Sequence, residues 1–295
     1  MHALQNHDEL TYELVHWSAG HRDDVYRYKG VDVTGEELGE SVRQDLLDKL
    51  TGPNASYNLV FTTNGIACTT ATIIAATLGV TDLDTIDDVD HIRRAHLLLA
   101  MFNALQPGVF ALSGWDLCGM LTLPAAQIGQ LLLGGDTRWI HRPAHDLMDL
   151  NPSATQSMAG MPRGRSLYGS VPEQLADDTS FLRQLQAILR VRSHYGIATS
   201  RQVDIPEVSH RGMLVLVHEL AEEGKYQLTV LNFANEDIAG TVRSEQLPPG
   251  SQVSDMFTGN HVGDVDDLHS FAVELPPHHG MSLLVEAPEG EAAPA

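Results

Sequence analysis

Apolar and polar positions along this chain repeat with two different periods, and the change of period divides it. Leu38, Val42, Leu46 and Leu50 recur on one face of "TGEELGESVRQDLLDKL" (34–50), which predicts a helix. Thr34 can cap that helix, and Glu37 three residues on completes a capping box. "GPN" (52–54) breaks it. The apolar stretch 58–79 reads as mostly helical, with Gly79 as its stop. A second capping box at Thr85 and Asp88 opens a helix through 105. Asp87, Asp88 and Asp90 lie in its first turns, where the dipole favours negative charge. Gln106-Pro107-Gly108 ends it. Phe181, Leu182, Leu185, Ile188 and Leu189 predict an amphipathic helix over 177–196.

Two short apolar runs, 2–5 and "VFAL" (109–112), read as strands, each followed closely by acidic residues. Between 119 and 175 the chain is rich in Gly, Pro and His and nearly aperiodic. A loop of this length inside a compact domain is usually functional. After about residue 205 the period becomes two. Strands are expected at 213–220, 226–234, 238–244 and 281–286, separated by turn residues, which makes a small antiparallel β domain. The last residues, "APEGEAAPA", read as a disordered tail.

Composition narrows the class. The chain has 295 residues, 43% of them hydrophobic, enough for a large core. With 39 acidic against 18 basic residues the formal net charge is −21, which disfavours nucleic acid and anionic membranes as partners. No leader is visible, and the apolar run 66–80 is too short to span a bilayer. Cys68 and Cys118, the only cysteines, make no disulfide framework, so a reducing, cytoplasmic setting is expected. The histidines, among them His2, His16, His21, His141 and His145, match no metal-ligand spacing.

The candidate chemistry lies at the strand ends. Asp8 stands beside His7 just past the first strand, and Asp116 just past the second. In a (β/α)8 barrel that is where catalysis is built. A carboxylate there can accept hydrogen bonds from neighbouring sugar hydroxyls and favour an oxocarbenium-like transition state. A polar turn is the other reading of His7 and Asp8, and a helix-capping or loop carboxylate that of Asp116. Trp115 is either core or a sugar-stacking platform.

"LQNHDELT" (4–11) resembles the late strand motif of the α-amylase superfamily. In its Asn-His-Asp-Glu-Leu-Thr form it is similar to that of trehalose synthases, the maltose α-glucosyltransferases. "QPGVFALSGWD" resembles the family's seventh helix and eighth strand. "FLRQLQAILRVRSHYGI" is similar to its eighth helix. "KYQLTVLNFANE" and "LPPHHGMSLLVE" resemble the two ends of its C-terminal β-sandwich.

The resemblance implies an α/β plus all-β chain. Residues 1–204 would be the C-terminal portion of a (β/α)8 catalytic barrel, strands seven and eight with their helices. Residues 205–288 would be an antiparallel β-sandwich, and 289–295 the tail. It implies that Asp8 is the transition-state-stabilising aspartate and that His7 and Asp116 bind substrate. Here Leu112-Ser113-Gly114-Trp115 replaces the family's common Tyr-Tyr-Gly before that last acidic residue.

The implied activity is retaining interconversion of maltose and trehalose, on α-linked glucose disaccharides. No cofactor is implied for these residues, although calcium occurs in the family. An α-glucosidase or another α-glucan hydrolase of the superfamily is the sister reading. A non-catalytic subunit completing a partner's barrel is the reading from another class. The family's nucleophile and general acid lie on earlier strands, upstream of the His-Asp pair. The expectation is therefore a C-terminal fragment, inactive alone, that depends on a chain supplying the N-terminal barrel part.

Overall fold

The computed structural model describes residues 2–5, 10–11, 15–50, 60–61, 65–80 and 89–288. Strands are β1 (His2–Ala3), β2 (Leu10–Thr11), β3 (Val25–Tyr28), β4 (Val31–Thr34), β5 (Val60–Phe61), β6 (Gly65–Ala67), β7 (Phe110–Ala111), β8 (Arg201–Asp204), β9 (Glu207–Val208), β10 (Met213–Glu219), β11 (Lys225–Asn232), β12 (Ile238–Arg243), β13 (Gln252–Asp255), β14 (His261–Asp264), β15 (Ser270–Leu275) and β16 (Gly280–Glu286). Helices are α1 (Val15–Gly20), α2 (Gly35–Leu50), α3 (Thr70–Thr77), α4 (Val89–Ala104), α5 (Gly114–Cys118), α6 (Gly129–Leu132), α7 (Val171–Leu175) and α8 (Phe181–His194).

The chain divides into two compact units. One comprises Met1–Leu4, Arg93–Ala111 and Gln174–Ala295. Its strands form two antiparallel sheets, ordered β14-β13-β16-β11-β10-β8 and β15-β12-β9. Alternate side chains of the larger sheet, Val215 and Val217, Leu228 and Val230, Leu283 and Val285, share a core with Val242, Phe271 and Val273 of the smaller. This is the burial that the period-two pattern predicts. The other face of the larger sheet is buried as well. His218, Gln227, Thr229 and Ser282 lie on it beside Leu231 and Leu284.

A Cβ on Gly280 would stand 2.7 Å from Met101 Sδ of α4 and 2.8 Å from Leu231 Cδ2, so the start of β16 is glycine where the helix comes close. α8 is capped by Ser180, whose hydroxyl accepts the Arg183 N–H at 3.2 Å. It buries Phe181, Leu185, Ile188 and Val191. The same unit holds β1 and β7, which pair in parallel with His2 opposite Phe110 and Ala3 opposite Ala111. Among the described residues this is the only parallel pairing between strands.

The second unit comprises Gln5–Ile92 and Leu112–Glu173. The capping box of α2 is formed as expected. Glu37 Oε2 accepts from the Thr34 N–H at 2.8 Å, and Thr34 Oγ1 accepts from the Glu37 N–H at 3.2 Å. The polar stretch before it, for which no element is expected, folds into α1 and the hairpin β3–β4. Lys29 and Gly30 turn that hairpin, both at positive φ (49° and 86°), as a two-residue type I′ turn requires.

The stretch 58–79 corrects the helical expectation. It contains β5 and β6, which with β2 form an antiparallel sheet, and helix begins only at Thr70, after the cap Thr69. Residues 66–68 are consumed by strand pairing and by two small cores, Ile66 and Cys68 with Leu50, and Ala67 with Leu123 and Ile140. An apolar run does not by itself distinguish a buried strand from a helix. Gly79 does end α3, at φ 82°. The box at Thr85 and Asp88 lies outside the described residues. The aperiodic region 119–175 contains α6, α7 and single 3-10 turns at Ala125–Gln127 and Thr137–His141.

Candidate functional site

The two strands that precede the acidic clusters are neighbours. The parallel register of β1 and β7 brings their C-terminal ends side by side. The His2 N–H donates to the Val109 carbonyl at 2.7 Å, and its ring meets the Pro107 carbonyl at 3.0 Å. Asp8 follows Ala3 by five residues, and Asp116 follows Ala111 by five. His7 and Asp8 themselves lie outside the described residues.

Asp116 is buried, 1% exposed, at the third position of α5. Its Oδ2 accepts from the Ser113 hydroxyl at 2.8 Å and from the Ser113 N–H at 3.4 Å. Its own N–H donates to Ser113 Oγ at 3.1 Å. This reciprocal box is what a Ser three residues before an acidic side chain makes at a helix start. The geometry thus gives Asp116 a capping role at the end of β7. α5 closes at Gly119, in the left-handed region at φ 60°.

Just past α5, Cys118, His145, Asp146, Asp149, Arg163 and Glu173 border a polar cavity of about 170 Å³. Trp115 stands next to it. Its indole N–H donates to the Pro143 carbonyl at 2.9 Å, and the ring meets that of His145 edge-on, 6.2 Å between centroids. Partial desolvation lowers the pKa of His145, opposed by the charge of Asp146.

Asp146 accepts the Asn151 N–H at 2.6 Å and the Leu150 N–H at 3.0 Å. Those bonds, with the nearby Arg163 charge, hold its carboxyl below the usual range. Arg163 is anchored on the Pro152 carbonyl at 2.9 Å and the Asn151 carbonyl at 3.3 Å, so it is a fixed part of the loop. Burial pushes the Cys118 thiol up to about 12, and its S–H donates to the Gly114 carbonyl at 3.3 Å. It is no nucleophile.

The charged groups bordering the cavity are spent on the loop itself: Glu173 accepts the Ser170 N–H at 2.7 Å and its hydroxyl at 2.8 Å, as Asp146 accepts from Leu150 and Asn151. Sequence reasoning did not single out Asp146, Asp149 or Glu173. The only signal was the length of the loop that carries them. Among the described residues no three His, Cys, Asp or Glu side chains gather as metal ligands, and no helix is long and apolar enough to cross a membrane.

No protein-family model matches the chain, and no curated protein matches it. Among solved structures it is similar to an Anoxybacillus α-amylase, at 10% identity and a TM-score of 0.41, over 74% of this chain and 36% of that one. It is similar to the isomaltulose synthase SmuA from Protaminobacter rubrum at 14% identity and a TM-score of 0.44, over 66% of this chain and 38% of that one. It is also similar to the trehalose-6-phosphate hydrolase of Bacillus licheniformis at 12% identity and a TM-score of 0.45, over 68% and 40%. These neighbours are enzymes of the α-amylase family, and the chain spans between 36% and 40% of their length.

Proposed function

We propose that the chain is the C-terminal part of a retaining enzyme that interconverts maltose and trehalose. The observation that supports this is the motif Asn6-His7-Asp8-Glu9-Leu10-Thr11 at the end of β1, with β7 as the parallel neighbour of that strand. In this reading Asp8 accepts hydrogen bonds from adjacent hydroxyls of the glucosyl ring. It favours the oxocarbenium-like transition state, and His7 binds the same ring. Retaining chemistry needs a nucleophile and an acid/base about 5–5.5 Å apart. Neither role falls on a matching residue of this sequence, so both come from a barrel portion that pairs with it. Both cysteines are free and buried, which fits a cytoplasmic enzyme.

The purified 295-residue protein should not turn over maltose, trehalose or p-nitrophenyl α-glucoside. Joined to a barrel portion carrying nucleophile and acid, it should form trehalose from maltose and lose that activity on Asp8→Asn. Turnover by the chain alone would overturn the division of roles. Glucose as the dominant product of the joined protein would move the reading to a hydrolase.

A further inference from the structure

Within the unit that holds the two antiparallel sheets, α4, α8 and the start of β16 border a cavity of about 240 Å³. Its floor is apolar, made by Leu97, Leu98 and Met101 of α4 with Ala187 and Ile188 of α8. The volume lies below the roughly 300–1,000 Å³ of sites for drug-sized ligands, so it admits a short chain.

The walls are held in place by bonds of their own. Phe257 forms one wall. Asp255 fixes its turn, Oδ1 accepting the Phe257 N–H at 3.0 Å and the Thr258 N–H at 2.7 Å. His278 and His279 form another. His278 is buried at φ 53°, a region that few non-glycine residues occupy unless the surroundings hold them there. Asn232 of β11 does so here. Its N–H donates to the His279 carbonyl at 2.9 Å, and its Nδ2 donates to the Pro276 carbonyl at 2.8 Å. The cavity is therefore preformed.

The rim carries charge of one sign. Other exposed arginines of the chain are paired, Arg22 with Glu36, Arg27 with Asp32, Arg201 with Glu219 and Arg243 with Glu245. Arg94 of α4 is exposed beside the apolar floor and pairs with no described carboxylate. Although the chain has 39 acidic against 18 basic residues, no described Asp or Glu lines this cavity. Asp255 is spent on its turn, and Asp90, one helical turn before Arg94, does not reach the lining. The net charge of the chain is screened beyond about 8 Å at physiological salt, so the unpaired guanidinium sets the sign at contact.

We infer that this cavity binds a small aliphatic carboxylate. Arg94 receives the carboxylate, and the chain displaces water from Leu97, Leu98, Met101 and Ile188. None of these residues belongs to the proposed sugar-facing set, so the inference stands apart from the maltose–trehalose reading.

Calorimetric titration of the full chain with octanoate, and with octanamide as its uncharged match, tests this. Octanoate should bind saturably and more tightly than octanamide. Arg94→Gln, at an exposed position, should weaken octanoate by about tenfold, the scale of one charge-assisted hydrogen bond, and leave octanamide unchanged. Ala187→Leu adds bulk to the floor and should abolish binding of both. If Ala187→Leu does not fold, Arg94→Gln and the comparison of the two ligands decide the question. The inference is overturned if the wild type shows no saturable octanoate binding, or if octanamide binds as tightly. It is equally overturned if Arg94→Gln binds octanoate like the wild type, or if a folded Ala187→Leu keeps the site.

Discussion

His218 Nδ1 and Gln227 Oε1 lie 2.7 Å apart across the β10–β11 pair, both side chains fully buried. Gln227 Nε2 donates onward to Thr229 Oγ1 at 2.8 Å and Ser282 Oγ at 3.0 Å, so a polar chain crosses three strands on one face of the larger sheet. Burial lowers the pKa of His218, and the bond to Gln227 offsets this only in part. The folded state thus keeps the ring neutral, while the unfolded chain takes up a proton near pH 6.5. Below that pH the unfolded state binds more protons, so stability falls by up to about 1.4 kcal/mol per pH unit until the lowered folded-state pKa is reached. Thermal unfolding from pH 7.5 to 4.5 should show a shallower acid decline in His218→Gln than in the wild type. Parallel curves would remove His218 from the acid response.

Ser113 and Asp116 hold the start of α5 through a two-way box. Ser113→Ala should lower stability by about 1 kcal/mol, the usual worth of an N-cap. Asp116→Ala should cost at least as much, because it also removes a buried acceptor from the Ser113 hydroxyl. Urea midpoints unchanged in both variants would show that the box contributes nothing to α5.

Arg192 of α8 donates to the carbonyls of Ala104, Gln106 and Gly108, closing the C-terminal end of α4 and the turn into β7. Its guanidinium pKa is lowered by burial. Arg192→Met should destabilise by about 2 kcal/mol. Arg192→Lys should recover little, since a single ammonium cannot span a fork of three acceptors. A lysine variant as stable as the wild type would show that charge alone suffices at this helix end.

Gly119 ends α5 at φ 60°, and a Cβ there would stand 2.6 Å from the Tyr168 ring. Gly119→Ala should cost at least about 1–2 kcal/mol from backbone conformation alone. The first residue of α6, Gly129, has nothing within 4 Å of its Cβ position, so Gly129→Ala should be neutral or stabilising. The pair is read by comparing melting temperatures. Equal effects at the two positions would contradict the packing of Tyr168.

Cys118 and Cys68 are both buried with raised thiol pKa, Cys118 to about 12. Native protein at pH 8 should resist iodoacetamide and label fully only after denaturation, as mass spectrometry would show. Rapid native labelling of Cys118 would place its sulfur in contact with solvent.

Chemistry that acts within a few residues is legible from the sequence. The Thr34–Glu37 box, the apolar stripe of α8 and the glycine stop of α3 are complete in their own segments, and the structure contains each. The period-two strands after 205 are there too, because one face of each larger-sheet strand meets the smaller sheet. The Lys29-Gly30 turn is equally legible, a two-residue turn between the alternating runs 25–28 and 31–34.

The identities of β1 and β6 depend on partners far away in the chain. β6 is strand rather than helix because Leu10 and Thr11 pair with it. β1 is a parallel strand because Phe110 and Ala111 lie beside it. The motif residue Asp8 is legible by resemblance, whereas the hydrogen bonds of Gln5 are visible only once Thr70 and His141 converge on its amide. Periodicity records which face of a segment avoids water. It carries no information about which distant backbone completes the hydrogen bonds of a two-residue strand, and at the end of β1 those distant bonds are what hold the chain.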